Sequence, residues 1–179
     1  VYLHERLFHF LIGDFYMKIV KKILIVLAIL VIIGQFIRPP QNTGGDVTTN
    51  DIATRYVVPP QVQTILRTSC YDCHSNATMY PWYAHVQPAG WYLYNHIKDA
   101  KKDLNFSEFC GYPLRRQIIK LQQVVEQVNE NEMPLPSYLL LHQDAKLTAQ
   151  QKEVLADWAN TLRDSLKQHY AEDKPRPRD

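Results

Sequence analysis

The sequence predicts an all-α fold: a small helical domain preceded by an N-terminal transmembrane anchor. Three observations carry that expectation. From Val62 to Leu166 apolar residues recur three and four positions apart. No alternating apolar/polar run is longer than a few residues. A lysine-led apolar stretch also stands ahead of a proline- and glycine-rich spacer. At 179 residues and 46 % hydrophobic content, the chain suffices for one compact domain plus an extension. A net charge of +2, with no Arg/Lys-rich block between Gln41 and Asp173, gives no basis for a nucleic-acid partner, and none is expected.

Residues 1–16 read as upstream sequence, translated through a misassigned start or disordered, because a natural chain would begin at Met17. Residues 17–38 form the predicted signal-anchor helix. Lys18, Lys21 and Lys22 make its basic start, and Ile23 to Ile37 is apolar apart from Gly34 and Gln35. That stretch is shorter than the ~20 residues that comfortably span a bilayer, but Ile19 and Val20 lengthen it if Lys21 and Lys22 snorkel. No small-x-small cleavage site follows, so the segment is expected to remain as a single pass through a bacterial cytoplasmic membrane. The basic end stays inside and everything after Arg38 lies in the periplasm. Residues 39–57, with Pro39, Pro40, Gly44 and Gly45, are the linker, and residues 58–179 are the globular domain.

That domain opens at Pro59-Pro60, where a missing N–H costs a helix nothing. Val62, Ile65 and Leu66 then mark a short helix that delivers Cys70. Cys70-Tyr71-Asp72-Cys73-His74 is a C-x-x-C-H run, the attachment signature of covalent haem c. Two thiols must reach the two vinyl groups of one porphyrin, and the next residue must offer an imidazole to its iron. Cys70 and Cys73 are therefore the expected thioether donors and His74 the proximal ligand. Other readings fit less well. A thioredoxin-like dithiol needs a βαβ setting, and these flanks look helical. A zinc site needs a second ligand pair, and the one other cysteine is Cys110. A Cys70–Cys73 disulfide closes a very tight ring and leaves His74 without a role.

Trp91, Tyr94, Ile97 and Lys101 predict a helix from about Ala89 to Asp103, and the surrounding aromatics suit either the wall of a flat macrocycle or an ordinary core. Asn105 or Ser107 caps the next turn. Leu114, Ile118, Leu121, Val125 and Val128 predict an amphipathic helix from about Pro113 to Asn129. Thr148 with Gln151 forms a capping box ahead of Leu155, Trp158, Ala159, Leu162 and Leu166. The chain closes on a basic tail, Lys174 to Asp179, expected to be frayed.

The iron's sixth position needs a second donor. Met133 lies in a non-helical, proline-stiffened loop between two predicted helices, and a thioether there favours ferrous iron. His96 and His142 are the histidine alternatives. Met79 is too close in sequence to His74 to cross to the opposite face. The second nitrogen of His74 needs an acceptor, sought in a carbonyl near Pro81 or Pro88. Cys110 is expected to be a buried free thiol.

With these residues located, the chain resembles the bacterial haem-binding domain family of membrane-anchored Bacteroidetes proteins, itself similar to monohaem cytochromes c. The match rests on Cys70, Cys73, His74 and Ser75, on Pro81-Trp82-Tyr83, Pro88, Trp91 and His96, and on Asn105-Phe106-Ser107. It continues through Met133-Pro134, Tyr138 and Trp158, and covers about Val57 to Lys167. The resemblance implies a small cytochrome c-like helical domain around one covalent haem, with His74 and Met133 on the iron. Phe109 stands where tryptophan is expected and Ala100 where glycine is common; neither is expected to touch the iron ligands.

The expected function is periplasmic electron transfer by a membrane-anchored monohaem c-type cytochrome, with redox proteins as partners, so a carrier rather than an enzyme. The alternatives are a haem-based sensor or ligand-binding module, or a peroxidase. A sensor needs an output domain, and none is evident in this sequence. Peroxidase chemistry needs a distal acid/base pair, and nothing pairs His96 or His142 with a catalytic arginine.

Overall fold

A computed structural model describes the backbone of residues 2–45 and 48–172 and the side chains of residues 15–45 and 48–170. The basic tail lies outside the described residues. Every regular element described is helical, as expected, and an isolated antiparallel bridge joins Thr43 to Ala77. Two compact units emerge: Val1–Pro40 with Pro81–Leu93, and Gln41–Tyr80 with Tyr94–Asp179.

In the first unit, helix α1 runs Tyr2–Gly34. Its large apolar side chains from Ile23 to Ile33 are all exposed. Among the described residues, however, no helix is long and apolar enough to cross a membrane. The uninterrupted run Ile23 to Ile33 rises only about 16 Å, against a hydrocarbon core of roughly 30 Å, and Lys21 and Lys22 cut it short. The helix itself therefore does not support the expected spanning anchor.

The exit of α1 is tied to the 81–93 segment. The Gln35 amide donates to the Gln87 carbonyl (3.1 Å) and accepts from the Gln87 N–H (2.9 Å). Trp91 Nε1 donates to the Ile37 carbonyl at 2.7 Å. Gly90 is compulsory, since a Cβ there would come within 2.3 Å of the Ala84 carbonyl oxygen.

The second unit holds the remaining elements. Helix α2 (Ile52–Arg55) is capped by Asp51, whose carboxylate accepts from Ala53 N–H at 2.8 Å. Helix α3 (Pro60–Ser69) opens on its proline and buries Val62, Ile65 and Leu66, the face the sequence predicts. The single turn α4 (Tyr71–His74) follows. Helix α5 (Ala89–Asp103) begins in the first unit and ends in the second. Asn105, rather than Ser107, caps the next element, a 3₁₀ turn over Phe106–Gly111, accepting from Ser107 N–H at 3.0 Å.

Helix α6 (Leu114–Asn129) matches the predicted amphipathic helix to within a residue. The short α7 (Pro136–Leu139) and a 3₁₀ turn (Gln143–Ala145) lead to α8 (Ala149–Glu172). The capping box forms: Thr148 N–H donates to Gln151 Oε1 (2.8 Å), and Gln151 N–H to Thr148 Oγ1 (3.2 Å).

Helices α6 and α8 make the most extensive contact between elements. Leu121 and Val128 join Leu155, Ala159 and Leu166 in one core with Ile65, Leu66, Phe106 and Phe109. Phe109, the residue that replaces an expected tryptophan, is 0 % exposed and packs its ring on Tyr56 and Tyr112, centroids 6.3 and 5.9 Å away. Phe109→Ala should cost about 3–5 kcal/mol of stability, because the cavity it leaves is enclosed on all sides. Denaturant unfolding reads this directly, and a loss below about 1 kcal/mol would mean that the ring is not part of the cooperative core.

Candidate cofactor site

The attachment run is built by a helix end and one extra turn. Cys70 closes α3, its N–H bonding the Leu66 carbonyl at 3.0 Å. The Cys70 carbonyl then accepts from the N–H groups of Cys73 (3.2 Å) and His74 (2.9 Å). That turn brings both thiols and the imidazole together. Cys70, Cys73 and Cys110 are all free thiols. Burial, helped by the neighbouring Cys73, pushes the Cys70 thiol up to about 12. Burial and the Asp72 charge push Cys73 up to about 11. Redox dithiols work through a lowered thiol pKa, so this pair is poorly suited to that chemistry. Among the described residues no group of three or more His, Cys, Asp or Glu side chains is arranged to hold a metal ion.

His74 Nδ1 lies 2.9 Å from the Leu104 carbonyl. This corrects the expected acceptor near Pro81 or Pro88. The physical reason is that carbonyls at a helix's C-terminal end have no partner inside the helix. The end of α5 supplies one at the right place. With Nδ1–H donating to Leu104, the lone pair of Nε2 is left for a metal. Burial lowers the His74 pKa, while the Leu104 carbonyl and the Asp103 carboxylate raise it in opposition. A neutral imidazole is the form that ligates.

Two neighbouring cavities meet at this turn. One, of about 240 Å³, is lined by Cys70, His74, Phe106, Val124, Met133 and Leu147 among others. The other, of about 50 Å³, is lined by Cys70, Cys73, His74, His96, Met133 and Tyr138 among others. Cys70, His74, Met133 and Pro134 line both. Met133 reaches them because the chain reverses just after α6. Asn131 takes a left-handed conformation (φ 62°), and the N–H groups of Glu132 and Met133 turn back to the Gln127 carbonyl at 2.9 and 3.1 Å. Asparagine is one of the few side chains that tolerate that conformation.

Of the histidine alternatives, His96 lines the smaller cavity. His142 lines neither; its ring stacks on Tyr138, centroids 4.1 Å apart and nearly parallel. Of the two readings of the aromatic residues, a macrocycle wall or an ordinary core, Trp91 and Tyr94 do not line these cavities; the aromatic side chains that do are Phe106 and Tyr138. Cys110 is half-buried rather than buried, and its thiol donates to the Asp51 carbonyl at 3.3 Å.

Sequence reasoning missed three groups. One is the Leu104 carbonyl. Another is Lys120, which lines the larger cavity while bonded to Asp103 (2.6 Å) and Gln123 (2.8 Å). The last is the Asp72–Tyr138 contact at 2.7 Å, between residues 66 apart in the chain. Long-range pairs of this kind leave no periodic signal.

The residues present fit a haem. The donor set is two thiols, one imidazole and one thioether, set around mostly apolar walls. A family model described as a haem-binding domain matches residues 28–161. No curated protein and no solved structure matches the chain.

Proposed function

Since the chain belongs to the haem-binding domain family, we propose that it is a membrane-tethered, monohaem c-type cytochrome that transfers electrons in the bacterial periplasm. The observation that carries this reading is the convergence of Cys70, Cys73, His74 and Met133 on adjoining cavities. Cys70 and Cys73 are the thioether donors. His74, its Nδ1 held by the Leu104 carbonyl, would hold the iron through Nε2, and Met133 would hold it through its thioether sulfur. Lys120 and Gln123 offer N–H donors on the cavity wall for the acidic groups of a porphyrin. When bound, the iron supplies a one-electron ferric/ferrous couple. The chain's part is to ligate, to orient and to exclude water.

Tethering rests on the all-round apolar surface of α1 from Ile23 to Ile33, which water does not favour, with Lys18, Lys21 and Lys22 on its cytoplasmic side. Snorkelling of Lys21 and Lys22 would bring Ile19 and Val20 into the apolar length.

The test is a pyridine haemochrome spectrum on the full chain, produced together with a haem c maturation system. A spectrum typical of two thioethers, surviving denaturation and acid–acetone extraction, is expected. Haem that extracts completely would overturn covalent attachment, and a colourless protein would overturn haem binding altogether.

A further inference from the structure

The Met133 loop is fastened to the attachment turn by a bond that the motifs do not announce. Asp72 stands between the two motif cysteines. Its Oδ2 accepts a hydrogen bond from Tyr138 Oη at 2.7 Å. Asp72 is itself held on its own side of the site. Its Oδ1 accepts from Met79 N–H at 3.1 Å, and its backbone carbonyl accepts from Thr78 Oγ1 at 2.6 Å. Tyr138 is equally well held on the other side. Its N–H bonds the Leu135 carbonyl at 2.9 Å, and its ring is stacked on His142. Asp72 and Tyr138 both line the smaller cavity, with Met133, Pro134 and Leu135. The two ends of one charge-assisted bond are thus each anchored to a different wall of the site.

We propose that the Asp72–Tyr138 hydrogen bond is a latch that positions the Met133 thioether by clamping its loop onto the C-x-x-C-H turn. Neither residue is assigned as a ligand to the iron, so both are positioning residues. Beyond the Gln127 carbonyl that turns the chain at Met133, the Tyr138 hydroxyl is what ties this loop to the attachment turn among the described residues. Without the latch, Met133 leaves the iron more often, and an external ligand competes better for the vacated position.

The proposal rests on Met133 being the distal ligand, so the experiment carries both variants. Carbon monoxide association with the dithionite-reduced full chain is followed by stopped flow. The proteins compared are wild type, Met133→Ala, Tyr138→Phe, Asp72→Ala, Asp72→Asn and the Asp72→Ala/Tyr138→Phe double variant. Covalent haem content and thermal midpoint are measured on each.

Wild type should bind carbon monoxide slowly and Met133→Ala fast. Tyr138→Phe and Asp72→Ala should bind about tenfold faster than wild type, as expected for loss of one hydrogen bond to a charged group. Asp72→Asn, which keeps an acceptor oxygen, should fall between. The double variant should match the single ones, since both remove the same bond. Haem content and thermal midpoint should stay near wild type in Tyr138→Phe.

If Met133→Ala binds no faster than wild type, distal ligation by Met133 fails and the latch falls with it. If Met133→Ala is fast while Tyr138→Phe and Asp72→Ala equal wild type, ligation stands and the latch alone is overturned. Additive effects in the double variant would likewise overturn it, because the two residues would then act separately.

Discussion

Replacing both Cys70 and Cys73 with alanine will abolish denaturation-resistant haem, taking the covalent content from about one per chain to none. The expectation follows from the turn that presents them. Both thiols flank the smaller cavity and no disulfide joins them. Each single variant keeps one thioether, and its haemochrome band should shift away from that of the two-thioether form. The alanines should still fold, since neither cysteine belongs to the fully buried core, although Cys70 packs against it. The measurement is in-gel haem staining beside the haemochrome spectrum. Full covalent haem in the double variant would place attachment elsewhere in the chain.

The second large effect is expected at Met133. Met133→Ala should turn the resting ferric protein from low spin to high spin and remove the methionine-to-iron charge-transfer band. It should also lower the reduction potential by a substantial part of the roughly 0.8 V that axial ligands command. A thioether favours ferrous iron, so its loss favours the ferric form. Met133→His should restore low spin but not the potential. Spectroelectrochemistry on the three proteins decides the matter. Spectra and potential unchanged in Met133→Ala would move the sixth ligand to another residue, with His96 the next to replace, because it too lines the smaller cavity.

Much of the fold was legible because the signals are local. Pro60 marks a helix start because its missing N–H costs nothing there, and Asn105 and the Thr148/Gln151 pair mark starts through hydrogen bonds within a turn or less. The spacing of Leu114, Ile118, Leu121, Val125 and Val128 marks α6 because one helical face must be buried. The expected role of Trp91 was less secure. An aromatic residue is equally suited to a core, and Trp91 instead bonds the Ile37 carbonyl at the end of α1. The anchor expectation turned on length, and three lysines close to an eleven-residue run make that length too short by itself.

By itself the sequence determined the chemistry on offer: two thiols and an imidazole at a spacing set by covalent geometry within five residues, and a methionine kept out of any helix by its prolines. Only the tertiary structure decided which distant groups meet them. The Leu104 carbonyl orients His74, and Asp72 meets Tyr138 across the site. The reason is that helical order and motif spacing are properties of neighbours along the chain, whereas a hydrogen-bond partner dozens of residues away is chosen by how whole helices pack.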